Sequence, residues 1–148
     1  MTADHQFCTF LLAGHHFGVD VRRVQEVVRP QEMTRVPLAP PAVRGLINLR
    51  GQIVTAIDLR RRLDLPDRPG GEPAVNVVVR TDNGAVSLLV DEIGDVLDAP
   101  ADAFEPPPDT LRGPARELVR GAYKLDGRLL LVLDTDRAVD PGGGSESV

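Results

Sequence analysis

Residues 43–63, VRGLINLRGQIVTAIDLRRRL, align without a gap on residues 119–139, VRGAYKLDGRLLLVLDTDRAV. Identities fall at Val43/Val119, Arg44/Arg120, Gly45/Gly121, Leu49/Leu125, Gly51/Gly127, Asp58/Asp134 and Arg61/Arg137. Upstream, Val19, Val21, Val24, Val27 and Val28 match the spacing of Leu88, Val90, Ile93, Val96 and Leu97. The chain is therefore a duplication, with units at roughly 6–64 and 74–139 inside one domain spanning 5–140. A unit of about 60 residues buries too little surface to be comfortable alone, so the two are expected to share a core.

Short apolar runs broken by turn residues at roughly eight-to-twelve-residue spacing point to a barrel or sandwich. The 13 prolines and 14 glycines are spread along the chain, which suits a turn-rich fold rather than a low-complexity one. The expected class is mainly β with short helices, each unit supplying about five strands, the size of an SH3-like barrel whose closure removes exposed edges. Strands are predicted at 7–12, 17–21, 75–80 and 86–90, with a turn at Gly14-His15-His16. Asp20 is predicted to cap a helix over 21–28 with Val21, Val24 and Val28 inward, although the valines suit a strand nearly as well. Asp58 reads as the N-cap of a short helix over 59–63. Residues 66–73 read as a linker-like turn, and 141–148, Gly/Ser-rich, as a disordered tail.

Several kinds of chemistry have no foothold. Cys8 is the only cysteine and lies in an apolar run, so it reads as a core residue and no internal disulfide forms. His5, His15 and His16 have no carboxylate or cysteine at ligand spacing, so neither a metal site nor a cofactor is expected. No nucleophile motif surrounds Ser87, Ser145 or Ser147, and no catalytic residue is assigned. Asp91, Glu92, Asp95, Asp98 and Asp102 lack calcium-loop spacing and read as a solvated face. No run approaches the ~18 apolar residues of a membrane helix and no signal peptide precedes the first strand, so a cytoplasmic protein without direct membrane insertion is expected. Small barrels often bind nucleic acid, and Arg60-Arg61-Arg62 is a basic run. A net charge of −5 and 3% aromatic residues argue against that alternative, because both the electrostatic footprint and the stacking platform are missing.

The two copies differ at one turn. Leu46, Ile47 and Leu49 before it and Ile53, Val54 and Ile57 after it read as a buried hairpin. The loop in the first copy is Arg50-Gly51, and in the second Asp126-Gly127. A two-residue loop favours Asn-Gly or Asp-Gly, since both central residues take positive φ. The fold thus has no need of arginine at 50. It is either a solvated surface residue or a recognition contact, and arginines on loops of a rigid scaffold favour the second.

Val24-Gln25-Glu26-Val27, the run Arg44 to Val54 (RGLINLRGQIV), Ile57-Asp58-Leu59-Arg60 and Leu89 to Leu97 (LVDEIGDVL) together resemble the CheW family over residues 6–139. Thr55-Ala56 departs from that pattern, where many relatives carry proline. The resemblance implies two intertwined five-stranded barrels and a non-enzymatic adaptor that couples chemoreceptor tips to the regulatory domain of the kinase CheA in a membrane-associated array. It places Val24, Glu26, Gly45 and Arg50 at receptor-contact positions. The loop holding Val36, Leu38 and Val43 is the candidate kinase surface. Residues 1–73 carry 10 basic and 8 acidic side chains, and 74–148 carry 7 and 14. That asymmetry suits weak, salt-sensitive association of unlike faces, of the kind that closes into rings.

Overall fold

The computed structural model describes residues 4–70, 73–82, 84–125 and 127–140, so the expected tail at 141–148 lies outside the described residues. The strands are β1 Asp4–Leu12, β2 His15–Asp20, β3 Val24–Val28, β4 Val43–Leu49, β5 Gln52–Asp58, β6 Val75–Thr81, β7 Gly84–Val90, β8 Glu92–Pro100, β9 Val119–Leu125 and β10 Arg128–Leu133. Three one-turn helices accompany them: α1 Leu59–Arg62, α2 Pro114–Leu118 and α3 Thr135–Ala138. Two five-stranded sheets result, with orders β8-β1-β2-β10-β9 and β3-β6-β7-β5-β4.

The sequence repeat and the sheets do not coincide. By repeat register β1–β2 matches β6–β7, β3 matches β8, and β4–β5 with α1 matches β9–β10 with α3. Yet β2 pairs in parallel with β10, and β7 with β5. Each sheet therefore joins the first hairpin of one repeat to the remaining strands of the other. The division at 64–74 marks the repeat only. In space, one barrel is the continuous stretch 24–90, and the other is built from the flanks.

Both barrels close in the same way. The segment after the first edge strand bridges the opposite edge, Thr34 to Leu46 in one barrel and Glu105 to Ala122 in the other. Glycine makes this possible. A Cβ on Gly45 would lie 2.6 Å from the Thr34 carbonyl, and one on Gly121 would lie 2.5 Å from the Glu105 carbonyl and clash with the Phe104 ring.

Three clusters fill the interior. Ile47, Leu49, Val54, Ala56, Val78 and Leu89 pack within the 24–90 barrel, and Phe7, Ala99, Tyr123, Leu130 and Val132 within the other. The largest lies between them and draws on both, from Phe10, Phe17 and Val19 through Ile57, Val77 and Leu88 to Leu131 and Leu133. Cys8 belongs to this shared core, and burial pushes its thiol pKa up.

Several local expectations are revised. Asp20 does cap, accepting from the Arg22 N–H, but it caps only a 3-10 turn over 21–23, and β3 begins at Val24. Its ladder to β6 supplies the tertiary pairing that the β-branched valines suit. The first hairpin turns at Ala13-Gly14, with φ of +49° and +82°, which leaves His15 and His16 inside β2. Leu46 is half-buried and Ile53 exposed, because consecutive strand residues face opposite ways and their neighbours Ile47 and Val54 take the inward side.

Asp91 is not part of a solvated face. It stands where the chain passes from β7 to β8, and its carboxylate accepts from Arg60 Nε at 2.9 Å and Nη2 at 2.5 Å, from Arg68 Nε at 3.1 Å and from the Ala13 N–H at 2.9 Å. Arg60 also donates to the Pro66 carbonyl, so the residues read as a linker are fastened to this crossing. Burial raises the Asp91 pKa, but the donors from Arg60, Ala13 and Arg68 outweigh it and hold the carboxyl below its ordinary value. A depressed folded pKa contributes stability that is present above the unfolded value, about 3.9, and is lost as pH falls through the folded one. Asp91→Asn is expected to cost about 3 kcal/mol in urea unfolding near neutral pH, because it removes the carboxylate that Arg60, only 9% exposed, pairs with. The same variant should show a flatter loss of stability on acidification.

Candidate functional site

The β4–β5 hairpin closes through Arg50 (φ +51°) and Gly51 (φ +89°), with Leu49 and Gln52 as its last pair. Asn48 Oδ1 accepts from the Gly51 N–H at 2.8 Å and steadies the loop. Arg50 is thus a non-glycine residue in the left-handed region, which costs about 1–2 kcal/mol. Its Nη2 donates to Glu26 Oε2 in β3, while the arginine side chain as a whole stays 71% exposed. The hydrogen bond from Arg50, and a second from Gln25, hold the Glu26 pKa below its usual value. Glu26 therefore stays ionised, and the pair persists, into mildly acidic solution.

The structure brings two of the four receptor-contact candidates into direct contact, Glu26 and Arg50. Val24 opens β3, half-buried against the shared core. Gly45 is the close-approach position under Thr34, so its lack of a side chain serves the closure of the barrel. One residue expected to be buried also reaches the surface near this pair in the fold: Ile53, 60% exposed, stands opposite Asn48 in the hairpin. The Ile53-Val54 juxtaposition was the available signal, since both cannot face inward on one strand.

Val36, Leu38 and Val43, the kinase-surface candidates, line one groove of about 850 Å³ together with Met33, Arg44 and Arg61. Leu38 combines two costs, being fully exposed (104%) and left-handed at φ +64°. The second copy is relaxed at the corresponding stretch. There Pro114 stands at the place of Leu38, and the positive φ falls on Gly113 just before it, at the start of α2. The two stretches end equivalently, since Ala42 O accepts from the Asp58 N–H and Leu118 O from the Asp134 N–H.

The 24–90 barrel thus exposes a guanidinium–carboxylate pair, apolar side chains and a strained leucine. Such a surface defines a protein-binding module. The comparisons place that module. A family model described as the CheW-like domain matches residues 6–141. The chain is 31% identical over 136 residues to the chemotaxis protein CheW of Klebsiella aerogenes, covering 92% of this chain and 82% of that one. It is 28% identical to the chemotaxis protein CheW of Bacillus subtilis, covering 100% and 97%. The crystal structure of the scaffolding protein TtCheW from Thermoanaerobacter tengcongensis superposes with a TM-score of 0.84 at 27% identity, covering 97% of this chain and 98% of that one. The chain belongs to the CheW family.

Because the strain at residue 50 is local, Arg50→Asn is expected to stabilise the fold. Relief of the left-handed cost outweighs loss of an exposed ion pair, for a net gain of roughly 0.5–1 kcal/mol. Arg50→Ala keeps the strain and loses the pair, and should be slightly less stable than the parent. Thermal melts of the three proteins check this order.

Proposed function

We propose that this chain is a non-enzymatic adaptor that joins chemoreceptor cytoplasmic tips to the regulatory domain of the histidine kinase CheA, and is held by those contacts at membrane-bound arrays. The observation that carries the reading is Arg50, kept in a costly backbone conformation and oriented by Glu26 while remaining open to solvent. A residue that the hairpin would be better without is explained by a partner, and arginine is enriched at binding hot spots. The exposed Ile53, in the same hairpin as Arg50, supplies apolar area for the same contact.

The groove at Val36, Leu38 and Val43 is the surface proposed for the kinase. Its barrel, 24–90, holds nine arginines against seven acids, whereas the flanking residues hold eight basic and fifteen acidic groups. The charge asymmetry read from the halves therefore survives the exchange of strands. It suits weak heterologous contacts between unlike barrels, in self-association or with the kinase, that loosen between about 50 and 500 mM salt.

Arg50→Ala is expected to weaken binding to receptor tips by about 2 kcal/mol or more while leaving a folded protein. Glu26→Lys should act alike, since it replaces the partner that orients Arg50 with a like charge. Leu38→Asp should weaken binding to the CheA regulatory domain and spare receptor binding. Pull-downs with each partner separate the two surfaces, and a normal receptor affinity for Arg50→Ala would remove Arg50 from the contact.

A further inference from the structure

The chain crosses between its two sheets at residues 21–23 and at Asp91, and each crossing is held by an ion pair to a short helix of the other repeat. At the second crossing Asp91 meets Arg60 of α1, at 2.5 Å. At the first, Arg23 meets Asp136 of α3, also at 2.5 Å, and Arg23 Nε further donates to the Arg80 carbonyl. Arg60 and Asp136 occupy the same place in the repeat, two residues after the capping Asp58 and Asp134. Asp91 corresponds to Arg22, the neighbour of Arg23. The two clamps are thus one device with its charges reversed: a basic crossing meets an acidic helix, and an acidic crossing meets a basic helix.

We propose that this reversal of sign specifies the exchange of strands between the repeats. Two similar repeats have a competing arrangement, in which each hairpin joins strands of the same repeat in a second copy of the chain. The local hydrophobic pattern permits both. In the competing arrangement Arg22 and Arg23 would face Arg60, and Asp91 would face Asp136. Both clamps become like-charge contacts, and Arg60, largely buried in the native fold, loses its carboxylate. Only the pairing of the first repeat with the second satisfies both clamps. The polarity is a device against misassembly, a role like that of opposite charges in choosing coiled-coil partners.

The test separates specificity from stability. In the full-length variant R23D/D136R the first clamp keeps opposite charges, but both crossings are now acidic and both helices basic. Like repeats then attract as well as unlike ones. The single variants R23D and D136R should melt below the parent, and the double variant should regain that loss. Refolded from denaturant at equal protein concentration, the double variant should give several-fold more dimer that survives dilution than the parent. The variant R23K/D136E, which keeps the polarity, should refold as the parent does. Light scattering after size exclusion reads the dimer fraction, and persistence on dilution distinguishes exchanged strands from weak surface contact. A double variant that refolds to the parent's monomer fraction, or one that fails to regain the stability of the singles, overturns the proposal.

Discussion

Two crossings of the chain, at 21–23 and at 91, tie this fold together. Each hairpin leaves its own repeat and completes a sheet begun by the other, so neither repeat closes a barrel unaided. The shared cluster between the sheets then buries Phe10, Phe17 and Val19 against Ile57, Val77 and Leu88. Units of about 60 residues are short of core when alone, and the common cluster supplies what each lacks. The ion pairs at Arg60–Asp91 and Arg23–Asp136 sit where the exchange happens, and their charges suit no other pairing of the repeats.

Duplication also lets one copy carry strained, exposed side chains, which we propose meet partners, without the other copy needing them. Arg50 and Leu38 are left-handed and exposed in the 24–90 barrel. At the matching stretches the second copy has the Asp126-Gly127 dipeptide in its sequence, and in its structure the positive φ falls on Gly113. Strain gathers where a partner is expected to bind, a common place for it in proteins. The rigid hairpin and the Glu26 contact fix the arginine in advance, which limits the ordering cost of binding.

Much of this was legible in the residues. The repeat announced two similar units, the spacing of turn residues announced a β fold, and Asp58 announced its helix. Which strands pair was not legible, because a repeat says which segments are alike and leaves their partners open. The charge reversal at Arg60 and Asp136 was present in the alignment, but it has meaning only once the crossings are known. Asp91 was misread for a related reason: an acid among acids looks solvated until two arginines from another segment are folded onto it. The Arg50 turn was readable from turn chemistry, whereas its partner lies 24 residues away on another strand and no spacing rule reaches it. Ile53 was misplaced by counting apolar residues without enforcing alternation.

Native-state hydrogen exchange tests the shared core most directly. The amides of Val19 in β2 and Leu88 in β7 belong to different sheets but to one cluster. If the exchanged strands make the two barrels a single cooperative unit, both amides open only with global unfolding, at the same free energy and the same dependence on denaturant. If residues 24–90 exchange together at a lower free energy while β1, β2 and β10 stay protected, the barrels are separable, and the shared core does not bind them into one structure.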